Sequence, residues 1–205
     1  RLFSMDLWQQ VIKFGGHAYV HKKYNSLRNI FAYCLLMEIF FSILSFLGAN
    51  LLLYLIYFYN GFSDEYLLYG QIFSIALIFK FSDTPTGVLR LTNRFNVLAY
   101  INVLSSLSYL IGSAFFWYNN SSFLNYIILF TVISILYNLI LILLTLFYWK
   151  LDKLPSLFRV NLNDKKLINN INKFSVTGWI TSTISVMKNS FDLYIIGIFL
   201  DVSAS

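Results

Sequence analysis

The sequence predicts an all-α fold: a polytopic transmembrane helical bundle of about five spanning helices, with an N-terminal amphipathic or partial helix ahead of them. Three observations predict it. First, 58% of the residues are hydrophobic and only 12% are charged, whereas soluble domains average roughly 45–50% apolar and about 25% charged. A soluble fold of this length cannot enclose so much apolar surface, and lipid supplies the second apolar phase that the excess requires. Second, the apolar residues gather into long runs bounded by polar punctuation. Third, the Lys and Arg residues in the connections between these runs all fall on one side of the membrane that the runs imply.

Ahead of the first run, residues Leu2 to Asn29 are basic and amphipathic, with Leu7, Val11, Phe14 and Ala18 at helical spacing. A bilayer core needs roughly 20 apolar residues per helix. Five runs approach that length: Phe31 to Tyr59, Tyr66 to Phe81, Val97 to Trp117, Phe123 to Tyr148 and Phe174 to Leu200. The second is short, holds Gln71 and ends on Lys80. It is counted as a crossing because the charges alternate only if it crosses.

On one side lie Arg1, Lys13, Lys22, Lys23 and Arg28, then Lys80, Arg90 and Arg94, then Lys150, Lys153, Arg159, Lys165, Lys166 and Lys173. The opposite connections hold Asp64, Glu65 and Asp201 and no Lys or Arg. The positive-inside rule makes the basic side cytoplasmic. This placement also assigns the net charge of +6 to membrane orientation and excludes nucleic acid as a partner. Trp8, Trp117, Trp149, Tyr59 and Tyr148 stand near run ends, as an aromatic belt requires. The connection from Trp149 to Lys173 contains Pro155 and a polar stretch and reads as a cytoplasmic linker. The expected organisation is therefore a helical group over residues 1–148, a linker over 149–173, and a helix over 174–205 that begins a second group. The sequence reads as an excerpt of a longer chain.

Ionisable groups inside a span cost at least about 2.5–3.5 kcal/mol each at the helix centre, so each needs a partner or a wet cavity. Three stand out. Lys188 and Asp192, four residues apart, share a helical face; they form either an ion pair that allows insertion or a cavity cation facing an anionic substrate, with Asp192 modulating it. Glu38, about two turns inside the first run, is either a proton or cation coupling group or an interfacial carboxylate. Arg90 and Arg94 are either anchors of the positive side or contacts for lipid phosphate or pyrophosphate. His17 and His21 share a face but lack a third ligand, so no metal is expected. Cys34 stands alone and can form neither a disulfide nor a zinc site within the chain. No local motif indicates an enzyme or a cofactor.

Two stretches carry a family resemblance. DLWQQVIKFGGHAYVHKKYNSLRNIFAYCLLMEI, from Asp6 to Ile39, resembles the WQ-x-LI-x-[FY]-G-A region of bacterial polysaccharide flippases. DTPTGVLRLTNRFNVLAYINVLSS, from Asp83 to Ser106, resembles their TP-x-G-x-LR-x-x-[DN]-R-F segment. KNSFDLYIIGIFLD, from Lys188 to Asp201, is similar to the family's seventh helix. The resemblance is to the polysaccharide transport branch of the multidrug/oligosaccharidyl-lipid/polysaccharide superfamily, which includes the Wzx-type O-antigen flippases. Asn93 departs from it, since many relatives carry aspartate there.

The resemblance implies that the two helical groups, 1–148 and the one begun by 174–205, belong to two lobes around a central cavity. It also implies that an undecaprenyl-diphosphate-linked oligosaccharide is moved across the bacterial inner membrane by alternating access, alongside other glycan-assembly proteins. Lys188 would then be a cavity cation, Arg90 and Arg94 substrate contacts on the loading side, and Asp192 and Glu38 coupling groups. A drug or ion exporter of the same superfamily, or a membrane-embedded glycan-processing enzyme, are the competing readings.

Overall fold

A computed structural model describes residues 7–61, 63–155, 167–181 and 184. Among these all regular structure is helical, joined by short turns, and there is no strand. Six helices follow in order: α1 (Leu7–Val20), α2 (Tyr24–Asn60), α3 (Asp64–Ile78), α4 (Asp83–Leu91), α5 (Phe95–Tyr118) and α6 (Phe123–Leu151). Residues 167–181 form a further helical stretch. The all-α membrane bundle expected from composition is the fold observed.

Three of the expected runs coincide with single helices. The first becomes the 37-residue α2, which starts seven residues before the apolar run and ends where Gly61 adopts φ 63° and returns its N–H to the Tyr57 carbonyl. The third and fourth become α5 and α6. The fifth falls mostly outside the described residues; the helical stretch on which it begins starts at residue 167, inside the expected linker, and Trp149 to Leu151 still belong to α6.

The second run requires correction. By itself α3 has 15 residues, roughly 22 Å at 1.5 Å per residue, which is short of a 30 Å core. Residues 79–82 leave the helix, and α4 resumes at Asp83. Together Asp64–Leu91 are long and apolar enough to cross. The Asp83 to Leu91 segment, expected as a connection, is therefore the second half of a broken span. Pro85 conceals this in the sequence. It stands third in α4, within the first turn, where a missing N–H removes no intrahelical bond.

Polar stitches hold α2 and α3 together as an antiparallel pair. Ser42 donates to the Lys80 carbonyl at 2.9 Å, Asn50 to Ser74 at 3.0 Å, Gln71 to the Tyr54 hydroxyl at 3.0 Å and Tyr57 to Asp64 at 2.8 Å. Each links two groups that hydrocarbon would leave unsatisfied. In the same manner α5 and α6 pair through Tyr137 and Asn102 at 2.9 Å and through stacked Tyr109 and Phe130. Both helices are apolar around their whole circumference, and Leu104, Ile111, Phe115, Leu143 and Phe147 remain exposed, as lipid-facing side chains would be.

The buried core concentrates at one end, where α1 and α4 wedge against the start of α2 and the end of α6. Val11, Ala18, Leu27, Ile30, Phe31, Cys34, Val88 and Trp149 meet there, with Ile171 from the last helical stretch. Gly87 permits the closest approach, since a Cβ on it would stand 2.7 Å from Val11 Cβ and 3.0 Å from the Trp8 carbonyl oxygen. Trp149, expected in an aromatic belt, is a core residue: it is 4% exposed, stacks on Phe31 at 5.1 Å and donates its indole N–H to the Pro155 carbonyl. Trp117, Tyr118 and Tyr59 remain exposed at the other end.

Four helix ends share one termination. After α1, α4, α5 and α6, the residue with positive φ is Lys22, Asn93, Asn120 and Lys153 in turn. The following N–H reaches back five residues, from Lys23 to Ala18, Arg94 to Leu89, Ser121 to Phe116 and Leu154 to Trp149. These are Schellman motifs, which satisfy the last carbonyls of a helix and turn the chain sharply.

Candidate functional site at the basic end

The break between α3 and α4 exposes the first turn of α4 among apolar helices, and helix starts carry N–H groups without intrahelical partners. Glu38 projects from α2 onto that turn. Its two carboxylate oxygens accept from the Asp83 N–H at 2.7 Å and the Thr84 N–H at 3.0 Å. Pro85 has no N–H, and Thr86 donates to the Ser82 carbonyl at 3.0 Å. Every donor of the turn is thus accounted for. Glu38 is 7% exposed, and its carboxylate lies at the positive end of the α4 dipole. The Asp83 carboxylate lies within electrostatic range, so two acidic groups share the break.

Glu38 was expected as a coupling group or an interfacial carboxylate. In the structure it is buried and caps the start of α4. It joins α2 to the broken span from roughly 21 Å along α2, counting 14 residues from Tyr24. The arrangement helps to hold α4 in place, and releasing the carboxylate would remove one polar tie between the half-helix and α2.

Arg90 and Arg94, expected as substrate contacts, are engaged within the bundle. The Arg90 guanidinium lies 4.4 Å from the centre of the Trp8 ring, which clamps α4 to α1. Arg94 forms a 3.2 Å ion pair with Asp152 and stacks over Tyr148 at 4.6 Å. This ties the start of α5 to the end of α6. The side chains of Arg94 and Asp152 are 35% and 22% exposed, so the pair remains within reach of water and of a competing anion. The departure at Asn93 gains a physical reason: at φ 58° it is the turning residue of a Schellman motif, a position that asparagine tolerates better than most residues.

Lys188 and Asp192 lie outside the described residues. The His17 and His21 rings lie 4.4 Å apart between centroids, tilted by 53°. Among the described residues no group of three or more His, Cys, Asp or Glu side chains could hold a metal ion.

The sequence did not disclose the partnership of Arg94 with Asp152, which spans 58 positions. Nor did it disclose a cleft of about 520 Å³ at the same end, lined by Lys22, Lys23, Tyr24, Asn25, Ser26, Lys153 and Pro155. The signal for the cleft was present as two basic residues, Lys22 and Lys153, at abrupt helix stops, but their proximity depends on how α1, α2 and α6 pack.

No family model matches the chain, and no solved structure matches it. The chain is 23% identical over 120 residues to the inner membrane protein YghQ of Escherichia coli (strain K12), an overlap covering 58% of this chain and 34% of that protein. The chain thus spans about a third of the relative's length. Its helices Tyr24–Tyr59, Asp64–Leu91, Phe95–Tyr118 and Phe123–Leu151 are each long and apolar enough to cross a bilayer. With this likeness, they identify the chain as part of a multi-pass protein of the inner membrane.

Proposed function

We propose that the protein moves a lipid-linked oligosaccharide, carried on undecaprenyl diphosphate, between leaflets of the inner membrane by alternating access, for cell-surface polysaccharide biosynthesis. The observation that carries this reading is the broken second span. The segment DTPTGVLRLTNRF, which resembles the flippase motif, forms the half-helix α4 and its exit, held at its N-terminus by Glu38. Discontinuous helices sealed by side chains within the bilayer are a recurring device of secondary transporters, where an irregular backbone borders a substrate path.

The physical task is to carry an anionic head that cannot enter hydrocarbon. A hydrated cavity with cations for the diphosphate, open to one side at a time, lowers that barrier while the lipid tail stays in the bilayer. In this reading Lys188 supplies cavity charge and Asp192 modulates it. Arg94 exchanges Asp152 for substrate phosphate during loading, and Arg90 supports α4. Glu38 is the coupling group, since occupancy of its carboxylate by a proton or cation weakens its hold on α4. The protein acts as a carrier and not as an enzyme, with the lipid-linked glycan and glycan-assembly proteins as partners.

Replacing Lys188 with Ala in the full-length protein should lower export of lipid-linked glycan at least about tenfold at matched membrane abundance, the scale expected for losing one charge-assisted contact. Unchanged export would remove Lys188 from the mechanism.

A further inference from the structure

The lining of the cleft that holds Lys22, Lys23 and Lys153 includes no residue of the broken span or of the Arg94–Asp152 pair, and the transport reading does not use it. Its basic residues come from two places in the fold: Lys22 and Lys23 from the short connection between α1 and α2, and Lys153 from the turn after α6. All three lysines are exposed, and among the described residues no acidic one lines the cleft. The nearest acid in sequence, Asp152, is already paired with Arg94. The volume, about 520 Å³, is within the usual range of small-ligand pockets.

Two of the lysines occupy costly positions. Lys22 and Lys153 have φ 56° and 53°, in the left-handed region where glycine and asparagine are the favoured residues. The other positive-φ residues among those described are Asn93, Asn120 and Gly61. The chain therefore uses the favoured residue types where a turn is all that is required, and places lysine at the two positions that open on the cleft. Solvated surface lysines of a positive-inside end have no need of such positions.

The α2 start adds to the field. Lys23, its N-cap residue, makes no side-chain capping bond, and the first-turn residues Tyr24, Asn25 and Ser26 line the cleft. A helix N-terminus carries partial positive charge.

The level of the cleft identifies the occupant. The 29 residues of α6 extend roughly 43 Å, which matches a bilayer of about 40–45 Å with its headgroups included. A crossing of that length brings Lys153, two residues beyond α6, to the level of the lipid phosphates on the basic side. We propose that this cleft binds the headgroup phosphate of an anionic phospholipid in the cytoplasmic leaflet. Basic pockets between helices on that side suit such headgroups. The lipid would bridge the ends of α1 and α6 at the foot of α2, and its occupancy would hold these three elements together independently of any transported cargo.

The test uses the purified full-length protein in mild detergent, with native mass spectrometry after addition of phosphatidylglycerol, phosphatidylcholine or inorganic phosphate in separate arms. The wild type should retain phosphatidylglycerol in preference to phosphatidylcholine. The combined variant Lys22→Gln, Lys23→Gln and Lys153→Gln should lower that retention about tenfold, and Lys80→Gln, a change elsewhere in the chain, should leave it unchanged. A second variant, Lys22→Gly with Lys153→Gly, separates structure from binding: its unfolding temperature without lipid should equal or exceed that of the wild type, while its phosphatidylglycerol retention still falls. Wild-type retention in the triple variant would overturn the proposal, as would an equal loss in Lys80→Gln. Binding of inorganic phosphate through the same lysines, with no preference for the anionic lipid, would assign a soluble ligand and overturn it also.

Discussion

Glu38 answers a problem of backbone chemistry. A helix that restarts between other helices exposes donors where no water can satisfy them. The two Glu38 oxygens satisfy the two donors left at the start of α4. Replacing Glu38 with Ala leaves both N–H groups buried and unpaired, at about 2 kcal/mol or more. Glu38→Gln retains one acceptor oxygen and should lose less. Thermal unfolding in detergent checks the order, wild type above Gln above Ala, and equal stability of all three would show that the capping bonds contribute nothing. The sequence exposed the carboxylate as costly in a span and therefore noteworthy, but its partner lies 45 positions away, and no local pattern carries that information. Arg90 was legible as a basic residue of the positive side for the same reason that Trp8 was not legible as its platform: charge is a property of the residue, whereas a ring contact between α4 and α1 is a property of their packing.

Among the elements, α2, α5 and α6 were readable because each is one long apolar run with a polar stop. The broken span was not. Lys80, Ser82, Asp83 and Pro85 together resemble a connection, yet they contain a four-residue interruption followed by a helix whose first turn accommodates proline. What betrays α4 as part of the core is its burial: Thr84, Pro85, Gly87, Val88 and Leu89 are enclosed, with Gly87 and Val88 toward α1 and Leu89 packed with residues of α5 and α6. Gly87 is the contact point. A Gly87→Ala substitution places a methyl group 2.7 Å from Val11 Cβ and 3.0 Å from a backbone oxygen, so α1 and α4 must separate. The expected cost is about 1–3 kcal/mol, read as a lower unfolding temperature. Gly16→Ala, where the nearest atom is a side-chain carbon at 3.7 Å, serves as the control and should be close to neutral. Equal effects at the two glycines would contradict the close packing of α1 on α4.

For the whole molecule, charge distribution was the most informative property of the sequence. The structure brings Lys22, Lys23 and Lys153 to one cleft and joins Arg94 to Asp152 at the same end, while Asp64 and Glu65 begin α3 at the other. Reporter fusions after Asp64 and after Asn163 in the full-length protein should therefore report opposite sides of the membrane, with the Asn163 fusion cytoplasmic; the same side for both would refute the proposed crossing pattern. The lobes expected at 1–148 and 174–205 remain a reading of the sequence, because the residues that would distinguish them, Lys188 and Asp192 included, lie outside the described residues.

The central claim is that the full-length protein carries a lipid-linked glycan across a bilayer. Its most direct measurement uses proteoliposomes that contain the full-length protein and a fluorescent undecaprenyl-diphosphate-linked oligosaccharide, with a membrane-impermeant quencher added outside. The account predicts protein-dependent quenching of the inner-leaflet fraction, accelerated well beyond empty liposomes and slowed by Lys188→Ala. An inner-leaflet fraction that stays as protected as in empty liposomes, under every ion gradient applied, would contradict it.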